Sequence, residues 1–241
     1  YTVALTVTDD RGASNSTTQQ VAVTAPIQTV YATDTFTRTA PTGFGTADKG
    51  GAWTTSGGAS LFSVDGNVGK IKMNTPGSGP AVYLNSVSAL NINGTVDVAT
   101  DSAPTGGGTY LSLAVRHNGT SEYRLRARIQ PTVTTLTLSK VISGTETALK
   151  TVTVTGMIYN PGDVLRLRIQ ASGSGTTVLS GKVWKVGTAE PGAWQANSTD
   201  TDASLQAAGG IGVVSYLSGS STLSPVVALW DNLSVTDIPV A

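Results

Sequence analysis

The sequence has no cysteine, so disulfides, thiolate catalysis and cysteine-ligated metals are excluded together. It has one histidine, His117, which leaves little for a histidine-based mechanism and reads as a hairpin residue beside Asn118-Gly119. Glutamate is nearly absent too. Glu122, Glu146 and Glu190 are the full set, and none has another carboxylate two to four positions away. The two flanking carboxylates that glycoside hydrolysis needs are therefore not written in any local run of glutamates. Asp200 and Asp202 are close, but they sit in Asn-Ser-Thr-Asp-Thr-Asp, which reads as a loop. No apolar run approaches the ~18 residues of a membrane helix. Charge is sparse at 12%, and 15 basic residues balance 15 acidic ones. With no known binding motif either, nucleic acid is a poor partner.

What is present is a vocabulary of strands and turns. Thr, Ser and Val dominate the 241 residues, with 28 glycines between them. β-Branched side chains suit a pleated surface and glycine supplies turn geometry. No helical period is sustained over a dozen residues. Tyr1, Val3, Leu5 and Val7 alternate with Thr2, Ala4, Thr6 and Thr8, the pattern of a half-buried strand. Asp9-Asp10-Arg11-Gly12 reads as a turn, and a second strand is expected over 17–23. A chain that opens on a strand in this way is expected to be a segment of a longer one. Thr24-Ala25-Pro26 reads as a short linker. Beyond it, strands are expected near 31–37, 59–64, 68–74, 80–87, 94–100, 109–117, 121–130, 133–141, 147–154, 163–171, 176–186, 209–216 and 226–236. Many short strands with regular turn signals predict an all-β sandwich or jelly roll.

Two resemblances sharpen that. Tyr1-Thr2-Val3, Leu5-Thr6-Val7-Thr8-Asp9-Asp10 and Gly12 resemble the last hairpin of a PKD domain, an immunoglobulin-like sandwich of bacterial surface proteins. A longer series of motifs spans Ala32 to Thr236. It comprises Asp34-Thr35-Phe36-Thr37-Arg38, Gly50 to Trp53, and Arg116-His117 with Tyr123-Arg124-Leu125. It continues with Val164 to Arg168, Gly181 to Trp184, Pro191 to Trp194, Gly210 to Val213 and Trp230 to Val235. In this order they resemble the concanavalin A-like, laminin-G-like jelly rolls of bacterial secreted proteins. The expected organisation is a PKD-like hairpin over 1–24, a linker over 25–30 and a concanavalin A-like jelly roll over 31–241. The Glu-x-Asp-x-x-Glu run of catalytic jelly rolls is missing, so no catalytic residue is assigned.

The resemblance implies a structural calcium ion where the first and last strands meet, with Asp34 and Asp231 at the matching positions. The plainer reading is that both aspartates end or cap strands. Trp184 and Trp230 lie in strand-like runs and are expected in the core. Trp53 and Trp194 lie in turns, where plugging the core or display to a sugar ring are both open. The arginines carry the strongest local pattern. Arg124, Arg126 and Arg128 alternate with apolar residues, as do Arg166 and Arg168, and Arg116 ends the preceding strand. Period two puts each set on one face of its strand. In the jelly rolls this chain resembles, such middle strands line the concave sheet, which would gather the guanidinium groups in one groove. Arginine reads carboxylate, sulfate or phosphate bidentately; a solvated face of arginines over Thr side chains is the bland alternative. The leading expectation is a non-catalytic carbohydrate-binding or adhesion module, extracellular, secreted or on the cell surface. Its partner would be a polysaccharide or cell-surface glycan, acidic by preference. Covalently linked neighbouring domains and self-association through the first hairpin are also expected, and membrane insertion is not. The alternatives are a structural spacer or cap of a stalk, fibre or tail-like assembly, and a cryptic polysaccharide lyase.

Overall fold

The computed structural model describes residues 1–22 and 28–238. The chain forms a small unit holding the first hairpin and a large one, Thr29–Ile238. In the small unit, β1 (Thr2–Thr8) and β2 (Ser14–Gln20) pair antiparallel, with Leu5 opposite Thr17. Asp9 makes the turn: its Oδ1 accepts the Arg11 and Ala13 amides at 2.9 and 2.8 Å, and Gly12 takes a φ of 85°. This tight turn starts the second strand three residues earlier than expected. One face of the hairpin carries Tyr1, Val3, Leu5 and Val7, all exposed. The other carries hydroxyl pairs, Thr6 with Ser16 at 2.7 Å and Thr8 with Ser14 at 2.8 Å. The end of the expected second strand and the Thr24-Ala25-Pro26 linker lie outside the described residues.

The large unit contains β3 (Val30–Asp34), β4 (Thr39–Ala40), β5 (Thr54–Ser56), β6 (Phe62–Asp65), β7 (Gly69–Met73), β8 (Ala81–Ala89), β9 (Ile92–Thr100) and β10 (Thr109–Asn118). It continues with β11 (Ser121–Ile129), β12 (Thr134–Ile142), β13 (Thr145–Thr153), β14 (Leu165–Ser172), β15 (Thr177–Lys185), β16 (Ala196–Asp200), β17 (Gly209–Leu217) and β18 (Val226–Thr236). Seven strands form one sheet in the order β13-β12-β11-β10-β17-β8-β5. The second sheet runs β16-β15-β14-β9-β18-β7-β6-β4, with β3 paired to the second half of β18. All these pairings are antiparallel.

Alternation makes the core. Leu111, Leu113, Leu125 and Leu138 of one sheet and Val96, Leu167, Ile169 and Trp230 of the other are all fully buried in one cluster. The layers approach closely: a Cβ added at Gly181 would sit 2.3 Å from Leu125 Cδ1. Trp230 and Trp53 plug this core, and Trp184 is buried outside the main cluster. One expectation is corrected. Ala196–Asp200, read as a loop, is an edge strand on β15. An edge strand tolerates a polar sequence, and Asp200 is buried because it accepts from Tyr123 Oη at 2.9 Å and Lys140 Nζ at 2.6 Å.

The end of β10 departs from simple alternation. Val115 pairs with Ile211 but His117 pairs with Gly210, so Arg116 is an extra residue, a β-bulge, with φ of 53°. The bulge turns Arg116 inward, where it is fully buried. Its guanidinium donates to Leu90 O at 2.9 Å, Thr177 Oγ1 at 2.7 Å, Leu205 O at 3.0 Å and Gly173 O at 2.7 Å. It also lies 5.9 Å from the centre of the Tyr123 ring. Replacing Arg116 with Met would leave those acceptors without a donor, each costing about 1–3 kcal/mol. The expected loss of stability is on the order of 3–5 kcal/mol, read from urea denaturation; a loss within ~0.5 kcal/mol would show that water replaces the side chain freely.

Candidate functional site

The outer face of the seven-stranded sheet holds a trough. Three rows of residues cross it in register. Arg128, Tyr110 and Tyr216 form one row, and Arg126, Ser112, Val214 and Ala81 the next. Arg124, Ala114, Gly212 and Tyr83 form the third. Small residues make the floor, the β11 arginines make one bank, Tyr83 of β8 stands on the other, and Tyr110 and Tyr216 stand on the middle strands at one end. Gly212 is required by this arrangement, because a Cβ there would meet the Tyr83 ring at 2.2 Å. Two adjoining hollows of about 380 and 310 Å³ share Ser56, Tyr83 and Arg124, and so make one continuous depression.

The bulge that buries Arg116 delivers His117 to this face. The His117 ring stacks on Tyr83 with centroids 3.8 Å apart and planes 12° from parallel. Its Nδ1 lies 2.7 Å from Glu122 Oε2. Glu122 is buried, accepts from Arg124 Nε and lies 3.5 Å from Tyr83 Oη. Burial, and then the Glu122 charge, push the Tyr83 hydroxyl up to about 12, so it stays protonated at neutral pH. A histidine held by a carboxylate beside a protonated phenol is an arrangement capable of moving protons.

The other end of the trough is arranged around Tyr110. The guanidinium groups of Arg126 and Arg128 lie 5.2 and 5.0 Å from its ring centre. Tyr216 meets the same ring edge-on at 5.3 Å. Glu146 accepts from Arg126 at 2.8 Å and from Ser139 Oγ at 2.6 Å, and lies 3.6 Å from Arg124.

The six arginines expected to share a ligand face are therefore divided. Arg124, Arg126 and Arg128 do line one face. Arg116 is inside the protein with its guanidinium engaged. Arg166 and Arg168 are on β14, in the other sheet, so the single groove is corrected. Arg166 donates to Asp97 through Nε and Nη2 at 2.5 and 2.6 Å. Arg168 donates to Asn93 at 2.9 Å and Glu190 at 2.7 Å, and lies over Trp194 at 5.6 Å. Lys182 covers Trp194 as well, at 4.6 Å. Sequence reasoning missed Tyr83, Tyr110 and Tyr216 as part of the site. Their signal was parity: Tyr110 and Tyr216 stand out of phase with the buried residues Leu111, Leu113, Val213 and Leu217.

No family model matches the chain, and no curated protein matches it. Solved structures do. The chain superposes on the carbohydrate-binding module CBM66 from Bacillus subtilis with a TM-score of 0.51 and 12% identity, over 76% of this chain and 94% of that one. It superposes on the CBM2 module of the Lactobacillus casei BL23 phage J-1 evolved Dit protein with a TM-score of 0.56 and 11% identity, over 89% and 97%. For alginate lyase Aly36B the TM-score is 0.58 at 10% identity, over 87% and 98%. The large unit has the concanavalin A-like jelly-roll fold. At these identities the likeness establishes the fold alone, which binding modules and an enzyme share.

Asp34 and Asp231, the residues expected to hold a calcium ion, have very different surroundings. Asp34 is fully buried and accepts four hydrogen bonds. Arg38 supplies two, at 2.7 and 2.8 Å, Trp53 Nε1 one at 2.7 Å and the Phe36 amide one at 3.0 Å. Each carboxylate oxygen of Asp34 thus accepts two hydrogen bonds. Among the described residues no three His, Asp or Glu side chains are grouped to hold a metal. Asp231 accepts, among the described residues, from its neighbour, the Asn232 amide at 2.7 Å and Nδ2 at 2.9 Å. Burial foremost, then the charges of Asp97 and Asp34, raise its pKa against the pull of the Asn232 amide. A carboxyl whose folded pKa is raised costs stability at neutral pH, where both states are ionised. Asp231→Asn should therefore raise the melting temperature by a few degrees at about pH 7. The gain should fade as pH falls through the raised pKa and vanish below the unfolded value, where Asp231 is neutral in both states. Paired melts from about pH 7 to about pH 3 check this; a constant difference would remove charge as the cause.

Proposed function

We propose that the jelly roll is a non-catalytic glycan-binding module of a secreted or surface-displayed bacterial protein, used for attachment to a polysaccharide or cell-surface glycan. The observation that carries this is the trough. Sugar rings present flat C–H faces to aromatic rings and hydroxyls at their edges, and the trough offers tyrosines above a floor of small residues with Arg and Ser donors alongside. A few placed polar groups in a largely preformed concavity are what orient such a ligand. The binding-module names among the structural neighbours agree with it.

The same reading takes residues 1–24 as the closing hairpin of an immunoglobulin-like PKD domain, followed by a linker over 25–30. The exposed Tyr1, Val3, Leu5 and Val7 face supports this, because a lone two-stranded hairpin is marginal and such a face belongs against a second sheet. One observation favours a different activity for the trough: His117, Glu122 and Tyr83 have the make-up of an acid–base site. Turnover of a polysaccharide by the purified chain would replace the non-catalytic reading with that of a lyase. Ordered assembly without glycan binding would replace it with a spacer or cap.

Replacing Tyr110 and Tyr216 together with Ala is expected to weaken glycan binding at least about tenfold, as for a central aromatic anchor, with little change in the melt. Glycan-array screening followed by titration calorimetry measures it. Unchanged affinity in the double variant would place the ligand elsewhere.

A further inference from the structure

We propose that the glycan taken by this trough is anionic, and that Arg126 and Arg128 around Tyr110 read its acidic groups. The inference rests on the glycan-binding reading above and adds the charge class of the ligand.

The charges of the trough do not cancel evenly along its length. At the His117 end, Glu122 is buried and paired with Arg124. In the middle, Glu146 faces Arg126 and, more distantly, Arg124. Nothing acidic answers Arg128: among the described residues it makes no ion pair. Its one hydrogen bond runs from Nε to Gly107 O at 2.7 Å. Three guanidinium groups thus meet two carboxylates, and the excess cation stands at the tyrosine end. Arg126 and Arg128 are two positions apart on one strand face, roughly 7 Å, so each raises the potential felt by an anion at the other.

The fork of Arg128 is also held ready. Its guanidinium carbon lies 5.0 Å from the centre of the Tyr110 ring, and the Gly107 carbonyl holds Nε. Gly107 is itself pinned, its amide donating to Ser220 Oγ at 2.9 Å. Both terminal nitrogens have no protein acceptor among the described residues, which leaves them for a bidentate bond to a planar carboxylate or to two oxygens of a sulfate. Little side-chain freedom is left to lose on binding. Tyr216, exposed beside Tyr110, offers the adjoining surface for the sugar ring that carries the acid. The other sheet provides a contrast. There Arg166 is answered by Asp97 and Arg168 by Glu190, so that face has no comparable unanswered guanidinium.

The test is titration calorimetry of the whole chain against three polymers: a polyuronate, a sulfated polysaccharide and a neutral glucan. Expected is binding to at least one anionic polymer that weakens as salt rises through the screening range and drops about tenfold or more in Arg128→Gln. The drop should be larger in the Arg126→Gln/Arg128→Gln pair. Arg168→Gln, on the opposite face, should bind as the parent does. Preference for polyuronate or for sulfated polymer identifies the oxyanion. Neutral glucan bound as tightly as either anionic polymer, insensitive to salt and to Arg128→Gln, would overturn the charge assignment and leave the glycan-binding reading standing. The Tyr110 and Tyr216 variant would then still lose affinity. No binding to any of the three, with none on a glycan array, would overturn both. Circular dichroism melts of each variant verify folding, and Arg128→Lys, which keeps charge but not the fork, gives a second reading of the same position.

Discussion

The buried guanidinium of Arg116 is the constraint on which much of the large unit depends. An arginine cannot shed its charge in a protein, so one taken out of water must have acceptors waiting for it. Burial lowers its pKa, and no carboxylate bonds to it to offset that. The acceptors come instead from the chain before β9, the turn after β14, the first residue of β15 and the short 3-10 turn at Leu205. These segments belong to both the folding-over of β14 and β15 and the approach to β17. They are held at a common point because one side chain needs all of them. The same bulge that sends Arg116 inward shifts the phase of β10 by one residue and turns His117 out. The interior anchor and the composition of one end of the trough are thus two consequences of a single backbone irregularity.

The two outer faces show how charge on a sheet can be finished or left open. Both carry arginines at alternate positions, and both bury part of each arginine stem. On the nine-stranded sheet, carboxylates from β9 and from the loop after β15 reach the guanidinium groups, and Trp194 folds back beneath Arg168 and Lys182. There Arg166 and Arg168 each have a carboxylate partner. On the seven-stranded sheet, Glu122 of β11 and Glu146 of β13 answer Arg124 and Arg126 and leave Arg128 without an ion pair among the described residues. Partially exposed pairs of this kind contribute little stability. Their arrangement matters more for the potential a ligand meets than for the fold.

Alternation made the strands, the core face and the parity of each arginine set legible from the sequence. It could not assign the sets to sheets, because β14 joins its sheet through β9, a pairing far apart in sequence that sets Arg166 opposite Asp97, whereas β11 pairs with its sequence neighbours β10 and β12. The bulge at Arg116 was hidden for a different reason. A left-handed backbone is usually signalled by Gly or Asn, and here a large arginine adopts it, held by its buried hydrogen bonds. The hydrogen bonding of Asp34 was hidden for a similar reason. Its partners, Arg38 and the Trp53 indole, are engaged through loop geometry that no short motif records. The polar strand β16 was unreadable as a strand because an edge position asks for no hydrophobic alternation.

The trough itself follows from what the sheet lacks on its outside. An outer face with no element over it should be polar, yet Ala81, Ala114 and Val214 are buried there in a small apolar cluster. Tyr83 packs against them and lies over Gly212. Small residues in the floor are what allow this, since bulkier ones would lift the tyrosine and arginine planes away from the strands. Much of the resulting site stands on paired strands and not on loops, so its aromatic and guanidinium groups are fixed relative to one another by strand register. That rigidity favours selection of a ligand by the spacing of its flat faces and charges over accommodation of many shapes.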